Sequence, residues 1–217
     1  MCSDLDADRA SGDGIPRVTV VPNSYPTVVR PVGRLTRAAT PTVVFQGTLR
    51  YAPNADGARF LVNEVMPILS RLVPDVRLRL VGPTAPSLNC LHRPPDVTLV
   101  GRIADVTVEL AGADLVVVPL RFASGTRLKI IEAFAHGVPV VSTTVGAEGL
   151  DAIDGVHLLI ADTPRGLAVA CARLIHDDRL RGELVANARQ LYLARFRSDL
   201  AEAQVARLAT DVVRAHR

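Results

Sequence analysis

The sequence predicts an α/β fold, a Rossmann-like parallel sheet with helices on both faces. Three observations lead there. Strand-length apolar runs alternate with helical periods from residue 42 onward. The runs are continuous rather than alternating, as in Thr42-Val-Val-Phe45 and Asp114-Leu-Val-Val-Val118, and a strand that is apolar on both sides needs cover on both faces. Several runs stop at Gly or Pro, where an open parallel sheet places its ligand: outside the carboxyl ends of the strands, near the switch in strand order.

Residues 3–15 are polar and hold four Asp. Val18-Thr-Val-Val21 is a β-branched run, stopped by Pro22-Asn23-Ser24. Residues 25–40, with Pro26 and Pro31 inside and Pro41 just beyond, show no period and read as a linker. Thr42–Phe45 is a buried strand leading to Gly47. Residues 54–72 carry apolar side chains at helical spacing, with Pro53 at the start. Strands follow at 77–81, ending in Gly82, and at 97–100, ending in Gly101. A short helix over 105–111 leads to the apolar strand 114–118 and Pro119. The spacing then predicts a helix over 126–136 stopped by Gly137, strands over 138–141 and 157–160, and helices over 164–176, 178–194 and 198–215.

The bulk composition narrows the function. The chain has 217 residues and is 48 % hydrophobic, enough for one sizeable core. Twenty-five Lys and Arg against 22 Asp and Glu give a net charge of +3, spread along the chain, which argues against nucleic acid and suits an anionic small ligand. With no Trp there is no aromatic platform for single strands or sugars. Cys2, Cys90 and Cys171 form neither a CxxC pair nor a ligand set with the scattered His, so no metal site and no disulfide framework are expected, and the setting is a reducing cytoplasm. The acidic start has no apolar secretory core, and no run is long enough to span a membrane.

The segment Ser124 to Leu150 carries the chemistry. Ser124 or Thr126 can cap the helix that follows, and Gly125 lets the backbone approach a ligand. Unpaired N–H groups and the positive dipole end of a first helical turn suit a phosphate, and Arg127 and Lys129 add cationic donors. Glu132, three residues after Lys129, projects from the same face. Together they can hold a ribose and a diphosphate, although an ordinary capped helix with a surface Lys–Glu pair has the same pattern. Glu148, in the loop Gly146-Ala-Glu-Gly149, can accept from sugar hydroxyls or belong to an ordinary polar loop.

The run from Arg127-Leu-Lys-Ile-Ile-Glu132 to Ser142-Thr143, with Gly146-Ala-Glu-Gly149, resembles the donor-binding signature of the family-4 retaining glycosyltransferases of the GT-B fold. Phe45-Gln-Gly-Thr-Leu-Arg-Tyr-Ala-Pro-Asn54, Val97-Thr-Leu-Val-Gly-Arg-Ile103 and Ala113-Asp-Leu-Val-Val-Val-Pro119 resemble their counterparts in the same order, so the resemblance covers about residues 16–200. It implies the C-terminal half of a GT-B fold, a nucleoside-diphosphate sugar as donor substrate, and no separate cofactor. Glu132 matches the second Glu of the family's Glu-x7-Glu motif and takes the ribose. The first Glu of that motif is replaced by Ser124. Of the family's Arg and Lys after the first strand, the loop at Gly47 keeps Arg50 and lacks the Lys, and Lys129 is expected to supply that charge. The resemblance also divides the chain. Residues 1–24 match the end of an N-terminal GT-B domain, 25–40 the linker, 41–196 the nucleotide-sugar-binding domain, and 197–217 a helix that packs back on the N-terminal domain. The expected partners are the donor and a separate N-terminal GT-B domain, which holds the acceptor side and any peripheral membrane contact.

No Gly-x-x-x-x-Gly-Lys loop and no Gly-x-Ser-x-Gly elbow occurs. No catalytic residue is singled out, and His136 reads as a helix-end residue. Two rival readings stand beside the transferase: a catalytically inactive nucleotide-sugar-binding remnant, and a sugar-nucleotide epimerase of the same architecture.

Overall fold

A computed structural model describes residues 7–8, 19–34, 36–123, 125 and 127–215. Six parallel strands form one sheet: β1 (Thr42–Gln46), β2 (Arg77–Val81), β3 (Val97–Gly101), β4 (Leu115–Val118), β5 (Val140–Ser142) and β6 (Leu159–Ile160). Their order is β3-β2-β1-β4-β5-β6, so the chain winds outward from β1 in one direction and returns to start again at β4. The register Val43↔Leu115 and Val44↔Val116 joins the two halves. The connecting helices pack in two groups, one on each face of the sheet. α1 (Ala52–Phe60), α2 (Met66–Leu72) and α6 (Pro164–His176) share one face, with α2 against α6. α3 (Thr107–Gly112), α4 (Leu128–His136) and α7 (Asp178–Arg195) share the other, with α4 against α7. Val43, Val44, Phe45, Val116, Val117 and Val118 are fully enclosed between the layers, which explains why these strands are apolar on both sides. Each such side chain contributes about 1.5–3 kcal/mol by leaving water.

Several expected elements are modified. The single helix read over 54–72 is interrupted by a π turn at Leu61–Val65. Pro67 has no N–H to continue the helical ladder and its ring crowds the preceding turn, so the backbone widens before restarting as α2. β5 begins at Val140, two residues later than read, because Pro139 cannot donate to a ladder; its carbonyl still accepts from Val116 at 2.9 Å. β6 is only Leu159–Ile160, since His157 belongs to a turn closed on Ile153 at 3.0 Å. Residues 19–24 form no strand, so the described part of the expected Val18–Val21 run is irregular chain. One unread element, α5 (Thr144–Ala147), starts at Thr143, whose hydroxyl accepts from the Gly146 N–H at 3.0 Å.

The segment before β1 lies against the domain. Val28 N–H donates to the Tyr192 hydroxyl at 3.3 Å, and that hydroxyl donates to the Pro26 carbonyl at 2.7 Å. α8 (Ser198–Ala215) meets the same segment through Gln204, whose amide donates to the Val20 carbonyl at 2.6 Å. Among the described residues no helix is long and apolar enough to cross a membrane.

Candidate functional site

A cavity of about 930 Å³ opens where the loops after β1, β2, β3 and β4 converge. This is the carboxyl end of the sheet, at the switch between β1 and β4, the crevice that such a strand order creates. Three strands end there in glycines with positive φ: Gly47 at 147°, Gly82 at 126° and Gly101 at 78°. At Gly82 a Cβ would lie 2.0 Å from the Gly47 carbonyl oxygen, so any side chain would push the two loops apart. At Gly47 a Cβ would lie 2.9 Å from Lys129 Nζ and 3.0 Å from Asn54 Nδ2. The glycine leaves room for those two groups to meet over the end of β1.

Lys129 reaches this point from the first turn of α4. Its Nζ donates to Asn54 Oδ1 at 2.7 Å and sits 4.6 Å from the centre of the Phe45 ring. Burial, with a smaller contribution from the Arg127 charge, lowers its pKa from 10.5 to about 7. Its partner is a neutral amide, and the ring face offers only a weak attraction. One turn on, Glu132 accepts from Gln46 Nε2 at 2.6 Å. Burial raises the Glu132 pKa, while hydrogen bonds from Tyr25 and Gln46 oppose the rise. Arg50, Arg102 and Arg127 complete the charged lining, so four cations and one carboxylate face a single cavity among the described residues. Arg127 is buried and donates from Nη2 to the Val145 carbonyl at 3.2 Å. Arg127, the residue before α4, makes no side-chain cap, and the first residues of the helix, Leu128 and Lys129, line the cavity. A helix N-terminus carries the positive end of the helix dipole, so it adds to the positive character of this lining.

The structure brings Gly47, Arg50, Lys129 and Glu132 together at this cavity. Gly125 lies exposed in the preceding loop and is not among the lining residues. Glu148, half-buried at the end of α5, is likewise outside the lining. Ser124 and Thr126 fall outside the described residues. α4 itself starts at Leu128, two residues later than read, with Arg127 as the residue before it. Sequence reasoning missed Gln46, Asn54, Gly82 and Tyr25. Gly82 carried a signal, a glycine ending an apolar strand; Asn54, Gln46 and Tyr25 matter only through partners far along the chain. Among the described residues no group of three His, Cys, Asp or Glu is placed to hold a metal ion.

The family of group 1 glycosyl transferases matches residues 40–177. An exopolysaccharide phosphotransferase of Streptomyces coelicolor is 27 % identical over 95 % of this chain, which spans 22 % of that protein. Among solved structures, sucrose-phosphate synthase from Thermosynechococcus elongatus superposes with a TM-score of 0.80 at 21 % identity, covering 99 % of this chain and 58 % of that one. The HepE protein of Anabaena, solved with UDP-glucose, gives 0.77 at 18 % identity, covering 97 % of this chain and 63 % of that one. The chain therefore spans less than two thirds of the length of each, and its fold corresponds to the C-terminal half of the GT-B fold. With the matched residues running from the strap before β1 to the end of α6 and taking in the whole cavity, this chain belongs to the group 1 glycosyl transferases.

Proposed function

We propose that the cavity binds a nucleoside-diphosphate sugar, and that the domain delivers this donor for transfer to an acceptor with retention at the anomeric carbon. The observation that carries the reading is Lys129, in the first turn of α4, held over Gly47 by the neutral Asn54. A buried ammonium with no carboxylate partner among the described residues is costly in the empty site, and a bound diphosphate offsets that cost. Arg50 and Arg127 add to the charge that meets the diphosphate, and Glu132 accepts from the ribose hydroxyls. In the transfer, the bond from the anomeric carbon to the diphosphate oxygen breaks, a bond to an acceptor hydroxyl oxygen forms on the same face, and the hydroxyl proton passes to the departing diphosphate. The departing oxygen gains negative charge, which Lys129, the arginines and the α4 N–H groups stabilise.

The acceptor side of the cleft belongs, in this reading, to a second Rossmann-like domain opposite the cavity. The cytoplasm is the proposed setting; Cys90 and Cys171 are both free thiols. Calorimetry with UDP and with uridine tests donor binding. Lys129→Ala should weaken UDP about 10–100-fold and change uridine little, since a charge-assisted bond contributes about 1.5–3 kcal/mol. Equal losses for both ligands overturn the assignment. A parallel turnover assay with a UDP-sugar separates a transferase from a binding module: UDP release requires chemistry, and binding without release favours the module.

A further inference from the structure

The Lys129 ammonium is held by a side chain from the helix that follows β1. Asn54 sits in the first turn of α1, just after Pro53, and is buried. Its Nδ2 donates to the Thr48 carbonyl at 3.0 Å, and its Oδ1 accepts from Lys129 Nζ at 2.7 Å. The partners fix which way the carboxamide points. A carbonyl only accepts and an ammonium only donates, so the opposite orientation would lose both bonds. One amide thus ties together the loop after β1, α1 and α4. Gly47 leaves room for the contact, since a Cβ there would fall 3.0 Å from Asn54 Nδ2 and 2.9 Å from Lys129 Nζ.

Lys129 has a carboxylate nearby on its own helix. Glu132 follows at i+3, the spacing at which a Lys and a Glu ordinarily pair on a helix surface. Glu132 instead accepts from Gln46 Nε2 at 2.6 Å, although the other end of that amide, Oε1, is buried with no hydrogen-bond partner among the described residues. Asn54 Oδ1 is the hydrogen-bond acceptor of Lys129 among the described residues. A neutral acceptor orients the ammonium and leaves its field whole. A carboxylate in the same place would hold it as firmly and cancel that field. Arg50, Arg102 and Arg127 line the same cavity, so an ammonium left with its full charge adds to a positive surface already formed.

We infer that Asn54 is a positioning residue: it holds the Lys129 ammonium over the end of β1 without cancelling its charge, and so sets the affinity of the cavity for a diphosphate. The inference rests on the donor-binding reading above. Calorimetry with UDP and uridine tests it on the wild type, Asn54→Ala, Asn54→Asp, Lys129→Ala and the double variant Asn54→Ala/Lys129→Ala. Asn54→Ala should weaken UDP about 5–20-fold and leave uridine within about twofold. Asn54→Asp should weaken UDP at least as much, because its carboxylate engages the ammonium that the diphosphate needs; this variant decides the matter if Asn54→Ala fails to fold. In the Lys129→Ala background, Asn54→Ala should change UDP affinity less than about twofold further, since the residue acts through the lysine. A loss shared equally by UDP and uridine, an Asn54→Asp protein that binds UDP as the wild type does, or a full Asn54→Ala loss on top of Lys129→Ala overturns the inference alone. Absence of UDP binding in the wild type overturns the donor-binding reading and this inference with it.

Discussion

The two ends of the sheet treat charge in opposite ways. At the amino end, Asp114 lies just before β4 in full burial. It accepts from the N–H groups of Ala38 at 2.9 Å and Thr42 at 2.8 Å, and lies 3.7 Å from Arg181, itself fully buried. Arg181 also donates from Nε and Nη2 to the Leu174 carbonyl, at 3.0 and 2.8 Å. At the carboxyl end, Lys129 and Glu132 stand one turn apart on α4, yet each is held by a carboxamide: Asn54 for the lysine, Gln46 for the glutamate. Paired charges neutralise each other and lock β1, β4 and α7 together. Amide-held charges keep their orientation without losing their field. The first arrangement builds a scaffold, and the second leaves a lysine and a glutamate facing the cavity.

Removing one partner at the amino end should have the largest effect. Asp114→Ala strands the Arg181 guanidinium in the core, and breaking such a pair costs about 3–5 kcal/mol, to be read from urea denaturation. Lys129→Ala, by contrast, should leave stability within about 1 kcal/mol while UDP binding falls, because the lost packing of its stem is offset by the removal of a desolvated ammonium. If both variants lose stability alike, the contrast between the two ends is wrong. Gly47→Ala comes next. It forces a side chain into a φ of 147° and toward Lys129 Nζ. A loss on the order of 1–3 kcal/mol is expected, with UDP affinity falling in step as Lys129 is displaced.

A pH dependence sharpens the same comparison. Folded Lys129 gives up its proton near pH 7, and the unfolded chain holds it to about 10.5. Between those values the unfolded state binds more protons, so this residue makes stability rise with pH across that window. UDP affinity should fall over the same window, as the ammonium is lost. A bound diphosphate restores the charge, so binding near pH 8 should take up a proton. Calorimetry in buffers of different ionisation enthalpy measures that uptake, and its persistence in Lys129→Ala would assign the proton elsewhere.

Much of this was legible along the chain. The continuous valine runs could belong only to strands covered on both faces. Glycines after β1, β2 and β3 marked the end of the sheet where backbone crowding matters. Lys129 and Glu132 share a face because a helix repeats every three to four residues. The breaks at Pro67 and Pro139 also had local causes, a missing N–H in each case, but whether a helix stops there or widens into a π turn depends on what packs around it. Residue partners were not legible. Asn54 stands 75 residues from Lys129, and Gln46 stands 86 from Glu132. Tyr25 reaches His136 across 111 residues, and nothing in its own neighbourhood of the sequence distinguishes it from any linker tyrosine.

By itself the sequence determined the fold class, the end of the sheet that holds the site, and the charged residues that α4 carries there, because each depends on periods and turn chemistry confined to a few residues. The tertiary structure alone decided what those charges meet. The strand order brings β1 beside β4, the crossovers lay α4 over the end of β1, and the strap seats Tyr25 against the far side of the same helix. These juxtapositions are set by burial of the whole sheet rather than by any local preference, so whether a lysine and a glutamate one turn apart form a surface pair or two separately held ligand groups is settled only by the folded chain.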